Sequence, residues 1–327
     1  MSRRYLGRAT GAAVLAGAMF LAFGCGGGGG GGGIGVEYGG KTEKAVVTED
    51  NAQELVGVAM AGGETSRDLG FVGGDIAFRS AARTVRAPSS DLPLGAARLA
   101  TRLIGQEMEP ARRTYRRMEF DESMDGSCGG SIWIRGSGDD ETGVFQGTFS
   151  FENFCEGGVI FSGSISMNGQ VDIDTGEFLQ LKLTIPVLSV QGGETDVAMG
   201  GSLSYTFGGT ATTAVIDLTV RDNGAGEAIR LEDFVVGSVE VAGGERVTVT
   251  GRAFHSAHGH VDVTTATPFL VAFGDDVPSS GVLRADGADG TWVRLTAVSS
   301  THYRLEADTD GDSTPDWDSG LVPWGDL

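Results

Sequence analysis

Near the C-terminus the segment EADTDGDSTPDWDSG places Asp308, Asp310, Asp312 and Asp316 within nine residues. Carboxylates this close repel one another unless a cation offsets their charge. Calcium, which takes about six to eight oxygen ligands, is the cation that suits such a set. Thr314 would add a backbone carbonyl between the last two acids. The other reading of the segment is an acidic hairpin loop shaped by aspartate-to-backbone hydrogen bonds, without metal. A second cluster, HSAHGHVD, holds three of the four histidines of the chain, His255, His258 and His260, followed by Asp262. Imidazole nitrogens suit zinc or copper, and Asp262 could add an oxygen. On an extended strand 258 and 260 share a face while 255 does not, so joint ligation requires a turn at Ala257 or Gly259. A polar strand and turn on a wet face is the alternative.

Other chemistry is thin. The chain carries no G-x-S-x-G elbow, no H-E-x-x-H and no phosphate-binding glycine loop. Acid pairs such as Asp172 with Asp174 occur among 44 carboxylates, where such pairs arise without a catalytic purpose. The stretch ARRTYRR puts Arg112, Arg113, Arg116 and Arg117 around Tyr115 in two helical pairs. It suits docking on an acidic surface, contact with anionic head groups, or a solvated linker.

The N-terminus indicates where this chemistry would sit. Arg3, Arg4 and Arg8 precede an apolar run from Ala9 to Phe23, too short to span a bilayer comfortably, which reads as an export signal. Cys25 follows, and then eight glycines, Gly26 to Gly33, a flexible coil with a reach of roughly 15 Å. Loss of the three leader arginines takes the formal charge from −20 to −23, which excludes nucleic acid as a partner of the whole chain. Two cysteines remain besides Cys25. In an exported protein Cys128 and Cys155 are most simply a disulfide.

The positioning elements change along the chain. Residues 65–117 carry ten arginines and five acids, whereas residues 118–327 carry nine basic and 33 acidic residues. Thr48 is placed to cap a helix over EDNAQELVGVAMAGG, with Ala52, Leu55, Val56 and Ala59 on one face and Gly62-Gly63 as its stop. A second helix is expected over PLGAARLATRLIGQEMEPARRTYRRM, starting near Pro93 with a break at Pro110. Beyond Cys128 the period becomes two. Leu179, Leu181, Leu183 and Ile185 alternate with polar residues, as do Ile216, Leu218 and Val220. Turn signals fall at Asn168-Gly169, Thr175-Gly176, Asn223-Gly224, Gly243-Gly244 and Asp289-Gly290. GSISM at 163–167 and GSLSY at 201–205 hint at a repeated hairpin. The expectation is a mainly β protein, an antiparallel meander closed as a barrel or split into two sheets. The expected divisions are a signal peptide (1–24), a lipid-anchored Gly-rich tether (25–45), a helical, Arg-rich segment (46–117) and an antiparallel β domain (118–327).

Leu21-Ala22-Phe23-Gly24-Cys25 resembles a bacterial lipobox, although leucine stands one place early and Phe23 is bulky; ordinary cleavage after Gly24 is the alternative. Glycines directly after such a cysteine are similar to tethers of certain proteobacterial lipoproteins. FSFENFCEGG and FSGSISMNG resemble uncharacterised bacterial lipoproteins of β-meander type. These resemblances imply a diacylglyceryl and palmitate anchor on Cys25, outer-membrane localisation and membrane attachment through that lipid, but no activity. The Asp-rich segment resembles the calcium loops of thrombospondin type 3 repeats, and Asp308, Asp310, Asp312, Thr314 and Asp316 fall at positions 1, 3, 5, 7 and 9 of an EF-hand-type loop. Ser313 stands where a turn glycine is usual, and Ser319 where a bidentate glutamate would close the site. The expected function is a non-catalytic binding or structural module on a lipid anchor, its protein or glycan partner unspecified. The alternatives are an extracytoplasmic hydrolase using dispersed carboxylates and a carrier of a hydrophobic ligand.

Overall fold

The computed structural model describes residues 35–70, 118–193, 195–275 and 277–327. The leader, Cys25, the glycine run, the second expected helix and the ARRTYRR stretch lie outside the described residues.

Among the described residues one α-helix, α1 (Ala52–Gly70), precedes fourteen strands. These are β1 (Met118–Asp125), β2 (Ser131–Gly138), β3 (Val144–Glu156), β4 (Val159–Val171) and β5 (Phe178–Gly192). They continue with β6 (Thr195–Gly208), β7 (Ala211–Asp222), β8 (Ala228–Val241), β9 (Gly244–His255) and β10 (Gly259–Ala272). The last four are β11 (Ser280–Asp286), β12 (Trp292–Ala297), β13 (His302–Asp308) and β14 (Trp317–Pro323). Spatial order equals chain order in a single sheet, with β1 and β14 at its edges. Every neighbouring pair is antiparallel. The mainly β meander follows directly from the alternation of residue types. Leu181, Leu183 and Ile185 are buried, as are Ile216, Leu218 and Val220, while Leu179 stays at the surface. The inner strands thus turn one apolar face to the core.

So long a sheet must bend, and the faint repeat marks where it does. Gly163 in β4 (φ 127°) and Gly201 in β6 (φ 146°) adopt conformations closed to other residues. A Cβ at Gly163 would meet the Val187 carbonyl at 2.1 Å, and one at Gly201 would meet the Asp217 carbonyl at 2.0 Å. Register shifts fall beside these positions, between Ser164 and Ser166 on β4 and between Ile185 and Leu188 on β5. Glycine kinks paired with bulges are how sheets acquire curvature.

The helix lies on the apolar side, touching β7, β8, β9, β10, β12 and β13. The expected face, Ala52, Leu55, Val56 and Ala59, is buried, and so are Val58 and Met60. At 100° per residue these positions cover more than half the helix circumference, as befits a helix packed into a core. Gly62-Gly63 does not stop it. A Cβ at Gly62 would lie 2.7 Å from the Phe234 ring and 2.9 Å from Leu231, so the glycine lets α1 approach β8 closely. Asn168-Gly169 likewise is no turn but lies within β4, paired with β3 and β5, and Gly169 leaves room for the Gln180 carbonyl and the Phe145 ring. No helix among the described residues is long and apolar enough to cross a membrane.

Two staples complete the domain. Cys128, in the β1–β2 turn, is bonded to Cys155 of β3 with Cα atoms 5.1 Å apart. Residues 41–47, given in part to the tether by composition, lie against the sheet. Ala45 N–H donates to the His260 carbonyl (2.8 Å), Ala288 N–H donates to the Ala45 carbonyl (2.7 Å), and Ala45 and Val47 are buried.

Candidate functional site

The β9–β10 hairpin decides which histidines meet. Its strands end at His255 and resume at Gly259, and His258 N–H donates to the His255 carbonyl at 3.2 Å. The turn over 256–258 breaks strand alternation and brings the imidazoles of His255 and His258 face to face, centroids 4.7 Å apart at 21°. The sequence requirement for a turn is therefore met, but with a different outcome for the third histidine. His260 continues into β10 opposite Phe254, where its ring packs at 4.8 Å and its Nδ1 lies 3.0 Å from the Thr42 carbonyl. Asp262 is paired with Lys44 at 2.7 Å. Both candidates serve to dock residues 42–45 on the sheet.

The third member of the histidine cluster is Glu54, in the first turn of α1. Thr48 prepares that turn through its backbone: its N–H donates to Asn51 Oδ1 (2.9 Å) and its carbonyl accepts from Ala52 N–H (3.0 Å). The Asn51 amide also donates to the Val46 carbonyl, and the Gln53 amide to the Asp326 carbonyl. Held this way, Glu54 Oε2 reaches His258 Nε2 at 2.6 Å and His255 Nε2 at 3.9 Å. One ligand atom from each of the three residues lies within 4.8 Å of the others. His255 is the most buried, and burial together with the neighbouring His258 pushes its pKa down, against the opposing pull of Glu54 and Glu227.

The loop after β13 gathers some of its expected ligands. Asp308, Asp310 and Asp312 each bring a carboxylate oxygen within 4.8 Å of the others. Asp308 is fully buried, and its oxygens accept backbone N–H from Gly311 (2.6 Å) and Ser313 (2.7 Å). Asp310 accepts from Asp312 N–H at 3.1 Å, and Asp312 from Thr314 N–H at 2.7 Å. Asp316 turns instead to Thr309, accepting from its N–H (3.0 Å) and hydroxyl (2.7 Å), bonds that lower its pKa. Thr314 is exposed. Ser313, where a turn glycine is usual, is held at φ 73°.

Three further aspartates serve turns. Asp139, Asp172 and Asp222 each accept two backbone N–H bonds from residues two and three places on, and each hairpin ends in a glycine donating back to the aspartate carbonyl. The bonds from Thr175 and Asp174 lower the pKa of Asp172. Asp172 and Asp174 thus form one turn rather than an acid–base pair. A surface groove of about 320 Å³ over β7, β8 and β9 is lined by residues such as Thr213, Ser238, Arg246 and Pro268, with no carboxylate or histidine among its lining. Compared with protein-family models, curated proteins and solved structures, the chain matches none.

Proposed function

We propose that the chain is an exported protein of the bacterial cell envelope, anchored through lipid on Cys25 to the outer membrane, whose β domain is a non-catalytic binding or structural module. The N-terminal succession of arginines, apolar run, cysteine and eight glycines supports the anchor. The Cys128–Cys155 bond suits an oxidising compartment. The observation that carries the non-catalytic half is the packing of α1 onto the apolar side of the curved sheet, where a hydrophobic ligand or a substrate would otherwise enter. Asp172, of the acid pair Asp172 and Asp174, is engaged with Asp174 in a hairpin turn, which weighs against that pair as an acid and base.

Mass spectrometry of the membrane fraction tests the anchor: the mature N-terminus is expected at Cys25 with a diacylglyceryl group. A soluble mature protein starting at an unmodified Cys25 contradicts it. Organic extraction of the purified domain is expected to yield no stoichiometric free lipid; a bound hydrophobic molecule would favour the carrier.

Within this reading the 308–316 loop is a weak calcium site that stiffens the β13–β14 connection, with affinity no better than roughly 10⁻⁴ M. Support comes from the three converging carboxylates of Asp308, Asp310 and Asp312. Trp317, which follows the loop and is partly buried against the core, reports on it. Millimolar calcium is expected to change Trp317 fluorescence in the wild type and not in Asp308→Ala/Asp312→Ala. An unresponsive wild type would leave the loop as a turn.

A further inference from the structure

We propose that Glu54, His255 and His258 form a binding site for a divalent transition-metal ion, zinc by preference, that clamps α1 to the β9–β10 hairpin. Two imidazoles and one carboxylate are a donor set zinc favours, at about 2.0–2.2 Å from each ligand atom. Ligands at that radius in tetrahedral geometry stand about 3.3–3.6 Å from one another. The separations of Glu54 Oε2 from His258 Nε2 (2.6 Å) and His255 Nε2 (3.9 Å) straddle this spacing, and rotation of the more exposed His258 ring out of its 21° stack would turn both in-plane lone pairs toward one ion. Side-chain exposure grades across the site, from 11% at His255 and 27% at His258 to 57% at Glu54. The inner ligand is therefore fixed by packing, while the outer side is open for water as a fourth ligand.

A simple ion pair accounts for less. Glu54 needs only His258 for charge compensation, yet the hairpin stacks a second, largely buried imidazole beside the first. Two protonated rings in that stacked arrangement would repel each other, whereas one cation shared by both ring nitrogens and the carboxylate would satisfy all three groups at once. Ligation through Nε2 moves the His255 proton to Nδ1 and gives up the 3.3 Å contact from Ala257 N–H. Ala257 is exposed, so water can accept that N–H instead.

The clamp would act at the junction the fold itself must make. Glu54 stands 204 positions from His258, so one ion would bridge the first turn of the helix and the hairpin on which it packs. Binding only the folded state, it would raise stability with metal concentration.

The test uses the full mature protein, stripped with chelator and titrated with zinc alone, by calorimetry and by thermal unfolding. One zinc per chain is expected, with Tm rising by several degrees at about 100 μM zinc. Glu54→Gln and His258→Gln should each weaken binding at least about tenfold, and His260→Gln should leave it unchanged. Cobalt should give visible absorption bands of a four- or five-coordinate N/O site in the wild-type protein, a readout independent of any variant's folding. Absence of both the zinc heat and the Tm shift at that concentration overturns the proposal. So does zinc affinity that is unaltered in Glu54→Gln and His258→Gln.

Discussion

In the loop at 308–316 every hydrogen bond that shapes the carboxylates is made within the loop itself, from Thr309, Gly311, Asp312, Ser313 and Thr314. At Glu54, His255 and His258 the ligand atoms come from segments some two hundred residues apart and meet only because a helix packs on a hairpin. The loop is thus satisfied by its own backbone, whereas the cluster exists only in the assembled domain. A local motif can be held in place by its own backbone before any ion binds. An assembled constellation of three metal-ligating groups has a weaker structural explanation, and is the stronger place to look for chemistry.

Breaking the assembly should separate the two regions most. Leu55, one turn into α1 and almost fully buried, anchors the helix that carries Glu54. Leu55→Ala is expected to cost about 4 kcal/mol in urea unfolding and to reduce the zinc-dependent Tm shift. The calcium response of Trp317 should persist in the same variant. If the zinc response survives undiminished, the cluster does not depend on the helix seat.

The disulfide lies far along the sheet from both regions in strand order and serves as a control on general destabilisation. Cys128→Ser with Cys155→Ser opens a link spanning 27 positions and should lower stability by about 3 kcal/mol through loop-closure entropy. Zinc affinity should be unchanged in conditions where the protein remains folded. A parallel fall in zinc affinity would mean that the site reports overall stability rather than the α1–hairpin contact.

A smaller effect is expected in the loop. Ser313 is held in the left-handed region at φ 73°, so Ser313→Gly should stabilise by about 1 kcal/mol, measured by denaturant midpoint. The gain should not depend on zinc. A destabilisation would show that the serine hydroxyl, rather than the backbone conformation, matters at that position.

The smallest effect concerns an exposed carboxylate belonging to neither region. Asp121 on β1 accepts from the Trp133 indole and the Arg135 guanidinium, bonds that hold its pKa below the usual 3.8. Its contribution is complete above 3.8 and is lost as pH falls from there toward the depressed folded value. Asp121→Asn should therefore lose a small, constant contribution across the neutral range, flatten part of the acid limb, and match the wild type below the depressed folded value. An identical acid limb in the variant would remove this carboxylate from the account.

What could be read in advance follows the same division between local and assembled. Alternation at Leu181, Leu183 and Ile185 or Ile216, Leu218 and Val220 is a property of adjacent residues, so the β meander and its apolar face were legible. The cysteine pair was legible because only two thiols remain beyond Cys25. Glycines were misread where their role is set by a neighbour distant in sequence. Gly62 looked like a helix stop but makes room for Phe234, and Gly169 looked like a turn but makes room for Phe145. His255 and His258 were visible as candidates, whereas Glu54 reads locally as an acid in the first turn of a helix, a common place for one. His260 was grouped with them by proximity, although β10 carries it to the 42–45 segment. The Asp-x-x-x-Gly pattern at 139, 172 and 222 was available as a turn signal, and it accounts for acids that otherwise look like spare catalytic groups.

The most direct test of the assembled site is anomalous diffraction at the zinc edge from crystals of the mature protein grown with equimolar zinc. A single anomalous peak within about 2.2 Å of Glu54 Oε2, His255 Nε2 and His258 Nε2 is the predicted result. No peak there, or one confined to the Asp308–Asp312 carboxylates, would contradict it.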